Sequence, residues 1–379
     1  MIKKNIIVLI IVMIHYNIIA QVTKAEYYRQ TDLKILEFSN KYPNAPFDSI
    51  VAFVNNTCPS QENKVRSYYT WIASNISYDL DHKNTIELVQ MFKTNTSLNS
   101  NQTADEVFKN RKAVCEGYSK LMNKFCKSSK IPCYLVCGYT KILSGEIPEM
   151  LHAWNVVKID SAWMLLDITW ASGYVNQNNT FVKHFSNQYF LSKPKIFVKD
   201  HLPLDPMWQL LKYPFTKKEF ESDSMLIARS KPYNFPDSIN AYRAQSEKQQ
   251  IYLDFLHHYR NEPDNKNFAR NLDVYNNNLI SNKLNIGVLY QNDFIDLVQK
   301  KLSKKPTLSD CKIAKSLLDS AQVYYLGAQT LLSEKRPFTE EFKKIFNIIQ
   351  ITIMSNFENL KLNSEYLIKT KSYLTNKTK

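Results

Sequence analysis

Glycine is scarce in this sequence, at six of 379 residues, and proline and cysteine are modest at 14 and six. These shortages exclude a collagen-like repeat, a proline-rich extended chain and a disulfide-dense scaffold. No Cys-x-x-Cys pair occurs among Cys58, Cys115, Cys126, Cys133, Cys137 and Cys311. Neither a zinc ribbon nor a thioredoxin-type site is therefore suggested. Beyond the N-terminus, no run is apolar for the roughly 20 residues that a bilayer-spanning helix needs. No acidic cluster resembles a calcium loop. What remains is a chain that is 44% hydrophobic and 22% charged, with enough apolar residues for a sizeable core.

The charge balance is 49 basic against 35 acidic residues, a net +14. The excess is spread along both halves rather than gathered in a patch, so it reads first as solvated basic surface and only second as a nucleic-acid footprint. Lys3 and Lys4 precede an apolar run from Ile6 to Ile14, and Ala20 is a small residue at a plausible cleavage point. That pattern predicts a signal peptide over residues 1–20 and a secreted or periplasmic mature protein. The alternative is an uncleaved anchor, since Ile18 is a mediocre residue three places before the cut.

Residues 22–56 read as a helical lead-in broken at Pro43 and Pro46. Val65, Tyr68, Tyr69, Ile72 and Ile76 place a helix over about 64–76. Residues 93–103 form a polar loop, and Thr103-Ala-Asp-Glu106 is a capping-box pattern. A second helix starts at Cys115 and ends near Ser129. The period then changes to that of strands, at residues 133–140, 151–159 and 162–169, the last two joined by a tight turn at Asp160-Ser161. Helices followed by an antiparallel sheet predict an α+β domain. After Pro214 the pattern is helical again. One stripe is Ile313, Leu317, Tyr324, Ala328 and Leu331; another, opened by Thr339 as a cap, is Phe342, Ile345, Phe346, Ile349, Ile353 and Phe357.

Three residues stand out chemically. Cys115 opens a helix, where free N–H groups and partial positive charge favour a thiolate and could receive an oxyanion. Counting out from the Asp160-Ser161 turn, Lys158 faces Trp163 and Trp154 faces Asp167, so His152 is a diagonal neighbour of Asp167 on one face. A carboxylate there could hold the imidazole tautomer and leave the other nitrogen for a thiol. Against this, a lone cysteine at a helix start is ordinarily a small core residue, and a lone strand histidine is ordinarily structural. If Cys115 is a nucleophile, it must stay unpaired.

Arg111-Lys-Ala-Val-Cys115-Glu-Gly-Tyr118, His152-Ala-Trp-Asn155 and Trp163-Met-Leu-Leu-Asp167-Ile-Thr-Trp170 occur in this order. Together they resemble the three core motifs of the transglutaminase-like superfamily. Tyr189-Phe190-Leu191, His201-x-Pro203-x-Asp205-Pro-x-Trp208 and the upstream Trp71-Ile-x-x-Asn75-Ile-x-Tyr78-Asp79 are most similar to its kyphoscoliosis-peptidase branch. The resemblance covers roughly residues 60–212. It implies a papain-like fold, placed in domain 21–214, and leaves unexplained the helical domain that the apolar stripes mark over 215–379. It also implies a Cys-His-Asp triad: Cys115 as nucleophile, His152 as general base and then acid, and Asp167 as the residue that orients His152. Ala113 departs from the glycine often found there, and its methyl group would crowd the loop before the nucleophile. Trp71, Trp154 and Trp170 are candidates for cleft walls, with buried packing the plainer reading of each; His82, His184 and His201 read as structural or exposed. The expected activity is peptide, isopeptide or amide cleavage through an acyl-enzyme, on a protein or peptide substrate, without metal or cofactor. The alternatives are amine-resolved cross-linking and a catalytically silent scaffold.

Overall fold

The structure, a computed structural model, describes residues 24–84, 102–222 and 231–377. The expected signal segment and nearly all of the expected 93–103 loop lie outside the described residues. Among the described residues, no helix is long and apolar enough to cross a membrane. The chain divides into two compact units, one ending at Gln245 and the other starting at Ser246. The division falls later than Pro214 because the following helix stays with the first unit: Tyr242 packs edge-on to Trp208 and Tyr134.

The first unit opens with helical residues 24–41 (α1), α2 (Phe47–Thr57) and α3 (Gln61–Asn75). The break between α1 and α2 falls at the two prolines, and the Ser60 side chain caps α3 by accepting the Asn63 N–H. The capping box at Thr103 and Glu106 forms as the sequence indicates and starts α4 (Ala104–Asn110). Two short parallel strands, β1 (Ser77–Tyr78) and β2 (Lys112–Ala113), then pin the backbone just before α5 (Cys115–Ser128). Ala113 is accommodated there. It is fully buried, and its methyl group lies where a side chain on Gly117 would otherwise sit.

Against α5 lies a four-stranded antiparallel sheet in the order β5 (Ala162–Leu166), β4 (His152–Ile159), β3 (Cys133–Thr140) and β8 (His201–Pro203). The register is the one counted from the turn: Lys158 pairs with Trp163 and Asn155 with Leu166. One boundary differs. β5 stops at Leu166 rather than 169, because the Asp167 side chain accepts the Trp170 N–H and caps a short helix, α6 (Ile168–Ser172). A small hairpin, β6 (Gly173–Val175) with β7 (Phe181–Lys183), and α7 (Pro194–Phe197) lead to β8. Helices before an antiparallel sheet make this unit α+β, the class that the resemblance implies. Its core sits between the helices and the sheet and includes Tyr68, Trp71, Ile72, Phe125, Val157 and Leu166. After β8 come α8 (Lys217–Glu221) and α9 (Phe235–Arg243).

The second unit is helical throughout its described residues: α10 (Glu247–Asn261), α11 (Lys266–Leu297), α12 (Leu308–Glu334) and α13 (Glu340–Lys377). On α12 the buried stripe is Cys311, Ala314, Leu318, Ala321, Tyr325 and Ala328, one position round from the expected one, and Ile313 is exposed. Small residues explain the shift. Ala314 and Ala321 permit close approach, and Gly287 on α11 leaves the space that the Tyr325 ring occupies. On α13, Phe342, Phe346, Ile349 and Ile353 face the core as expected. Its first turn is held differently, since the Thr339 hydroxyl donates to buried Asp273, which also accepts the Phe338 and Thr339 N–H groups.

Candidate active site

Cys115 is the first residue of α5 and is buried and free. The helix N-cap, Val114, offers no capping side chain, so the first-turn N–H groups are left to whatever charge develops beside the sulfur. Gln102 fixes the approach by accepting the Val114 N–H at 3.0 Å. His152 opens β4 and Asp167 follows β5. The turn register brings them together, with His152 Nε2 2.8 Å from Asp167 Oδ2. The Cys115 sulfur is among the groups that raise the same imidazole, so it lies beside the ring. With Nε2 engaged by the carboxylate, Nδ1 is the nitrogen left for the thiol.

Asn155 ties the two sides together. It lies three residues beyond His152 on β4 and is almost wholly buried. Its amide donates to the Ser119 carbonyl (3.0 Å) and the Asn123 side chain (2.9 Å), both on α5. The nucleophile's helix is thereby bonded directly to the histidine's strand. The motif around Asn155 was legible, but its role was not.

Electrostatics reinforce the geometry. Burial alone would depress the His152 ring. The Asp167 charge and the Cys115 sulfur override it and raise the ring from 6.5 to about 10. Burial likewise opposes an ionised Asp167, yet the charges and hydrogen bonds of His152 and His201 hold its carboxyl far below the usual carboxylate range. These shifts give opposite pH signatures in stability. The raised His152 contributes fully below about pH 6.5, and its contribution is lost as pH rises through about 10. The depressed Asp167 contributes fully above its ordinary value of 3.8 and loses its contribution as pH falls. The melting-temperature gap between the unsubstituted protein and His152→Gln is therefore expected to be widest near pH 5–6 and to close toward pH 10. Thermal unfolding across pH measures it.

The structure also places a residue that the sequence reading set aside. His201, fully buried on β8, puts Nε2 3.1 Å from the same Asp167 Oδ2 and Nδ1 2.6 Å from Asp200 Oδ1. The signal was its position in the His201-x-Pro203-x-Asp205 motif; its pairing with β3 is non-local and cannot be counted from a turn. The donor atoms of His152, Asp167 and His201 lie within 4.8 Å of one another, a spacing compatible with a metal ion. The shared Asp167 oxygen already accepts from both rings, so hydrogen bonding alone accounts for the cluster. His184 is exposed, and the His82 N–H donates to Asp79.

The three tryptophans separate. Trp71 is in the helical core, stacked on Phe108 with Arg111 over its ring. Trp154 is wholly buried, edge-on to His201. Only Trp170 is partly exposed, and its ring lies 5.7 Å from that of His152, so it alone can border a cleft.

Residues 49–168 match the model of the Transglutaminase-like superfamily, a span that contains Cys115, His152 and Asp167. This chain carries a transglutaminase-like domain. Kyphoscoliosis peptidase of Mus musculus is 32% identical over 184 residues, covering 46% of this chain and 25% of that protein. The Homo sapiens protein of the same name is 30% identical over 196 residues, covering 49% and 27%. Hillarin of Drosophila melanogaster is 23% identical over 194 residues, covering 46% and 22%. The chain thus spans about a quarter of the length of the curated relatives it matches. The match to the family model ends before His201, whose place beside Asp167 is read from the structure.

Proposed function

We propose that the chain is a cysteine peptidase acting through an acyl-enzyme. The observation that carries this reading is Asp167 Oδ2 lying 2.8 Å from His152 Nε2, in a ring that the Cys115 sulfur, at a helix N-terminus, also acts on. In the proposed cycle, His152 Nδ1 takes the Cys115 proton and the thiolate attacks a peptide carbonyl carbon. The resulting oxyanion is received by first-turn N–H groups of α5. The intermediate collapses, the leaving amine takes its proton from His152, and a thioester remains on Cys115. Water, deprotonated by His152, then releases the acid and restores the thiol. Asp167 holds the imidazole throughout.

The name kyphoscoliosis peptidase, carried by two of the relatives, favours a peptide or protein substrate over other acyl groups. The same proposal assigns no cofactor or nucleic acid. It also places the mature protein outside the cytoplasm, on the strength of Lys3, Lys4 and the apolar run after them.

The test is a peptide-library cleavage screen with a Cys115→Ala control, alongside alkylation of Cys115 followed by mass spectrometry. Cleavage that disappears in Cys115→Ala is expected. So is alkylation at neutral pH that falls to the rate of free cysteine in His152→Ala. Alkylation no faster than free cysteine in the unsubstituted protein would refute the reading. Incorporation of a labelled primary amine into a glutamine-rich protein, above the Cys115→Ala background, would replace hydrolysis with cross-linking.

A further inference from the structure

We propose that His201 is a positioning residue for this chemistry, fixing Asp167 in the orientation that holds His152 toward Cys115. The inference rests on the peptidase reading. Both His201 nitrogens meet carboxylate oxygens, Nε2 at 3.1 Å from Asp167 and Nδ1 at 2.6 Å from Asp200. A carboxylate accepts, so the nitrogen that meets Asp167 serves as a donor, and the ring works as a brace between two acids.

The brace is itself held. Thr140 on β3 pairs with His201, and the Lys141 N–H donates to the Asp200 carbonyl at 2.9 Å. The rings of Phe197, Trp170, Trp154 and Tyr189 lie 4.2, 4.5, 5.0 and 5.5 Å from the imidazole and fix its plane. The titratable and charged groups facing it are Asp167, Asp200, the His152 ring at 5.9 Å and the Tyr189 hydroxyl, which donates to Asp200 Oδ2 at 3.4 Å. At the other end, Asp167 Oδ2 accepts from both rings while Oδ1 accepts the Trp170 N–H at 3.2 Å. Each oxygen is thus assigned. Without His201, the oxygen that orients the base keeps a single donor, and the carboxylate can tilt toward either partner.

The experiment compares His201→Leu with His201→Gln in the full chain, reading the rate of Cys115 alkylation against pH. Both replacements are uncharged and both remove the imidazole, so its loss is common to them. Their difference reads the hydrogen bond that a glutamine amide can still donate to Asp167. His201→Gln is expected to alkylate about tenfold faster than His201→Leu at neutral pH, the effect of one hydrogen bond to a charged group. Equal rates in the two variants, or a His201→Leu profile matching the unsubstituted protein, would overturn the inference. A measurement that needs no variant keeps it open to refutation if both replacements fail to fold. Nitrogen-15 spectra of histidine-labelled protein should show a proton on His201 Nε2, and a bare Nε2 would end the proposal. Failure of the peptidase reading is separately visible: Cys115 of the unsubstituted protein would then react like free cysteine, and the inference would fall with it.

Discussion

Asp167→Ala is expected to cost about 3–5 kcal/mol of stability, the range for removing one partner of a buried charged pair, and to leave Cys115 reacting like free cysteine. Asp167 has no exposed surface, yet every hydrogen bond it accepts is structural as well as chemical. Its Oδ2 accepts from His152 and His201, and its Oδ1 caps α6 through the Trp170 N–H. Alanine strands two buried imidazoles and an uncapped helix at once; the cap alone is worth about 1 kcal/mol. Asp167→Asn separates the two roles. It keeps the volume, and with its carbonyl oxygen toward Trp170 it keeps the cap, but it then presents an NH2 group to two ring N–H donors. His152 must move its proton to Nδ1, the nitrogen facing the sulfur, and can no longer accept from the thiol. The asparagine variant is therefore expected to fold well and to lose about a hundredfold or more in alkylation at neutral pH, an effect of wrong tautomer rather than lost packing. Denaturant unfolding and alkylation rates on the two variants separate these effects. An asparagine variant as reactive as the unsubstituted protein would remove Asp167 from the machinery.

The contrast between Asp167 and His201 shows what a sequence can carry. His152 and Asp167 flank a hairpin whose two-residue turn fixes every opposed pair, so their proximity follows from counting. Cys115 was legible as a helix start because Tyr118, Leu121, Met122, Phe125 and Cys126 after it fall on one helical face. His201 arrives 34 residues after Asp167, through two short helices, a small hairpin and irregular chain. Its three-residue strand is too short to show a period, and its partner on β3 lies far back in the sequence. The end of β5 was misread for a related reason. Ile168 and Thr169 favour a strand, and only the tertiary arrangement around Asp167 turns them into a helix. The stripe on α12 was read one position off because apolar residues occupy more than one face there. The smaller of them, Ala314 and Ala321, mark the true seam. Aromatic residues were ambiguous throughout: composition gives Trp71 and Trp170 the same prospects, and only packing separates core from cleft.

Gly138→Ala is expected to destabilise the first unit by about 3 kcal/mol, the upper end of ordinary overpacking, and to slow Cys115 alkylation toward the rate of His201→Leu. Gly138 pairs with His152 on one side and with Pro203 on the other, so it joins the strand of the base to the strand of the brace. A methyl group there would stand 2.1 Å from the Leu202 carbonyl oxygen and 2.5 Å from the Trp154 ring. Close approach of neighbouring strands, rather than an unusual backbone angle, is what requires glycine. The nearest obstruction is backbone and cannot swing aside, and Trp154 is wholly buried. Relief comes only if β8 moves away from β3, which carries His201 off Asp167. A control sits in the loop that follows β3. Gly145 has φ of +84° and nothing within 4 Å of an added methyl group, so alanine there meets backbone strain alone. That strain costs about 1 kcal/mol, the scale of the left-handed penalty, and leaves the alkylation rate unchanged. If Gly138→Ala lowers stability while its alkylation profile stays that of the unsubstituted protein, β8 does not transmit to the site. If both fall together while Gly145→Ala loses stability alone, strand spacing sets the alignment of the thiol, the imidazole and the carboxylate.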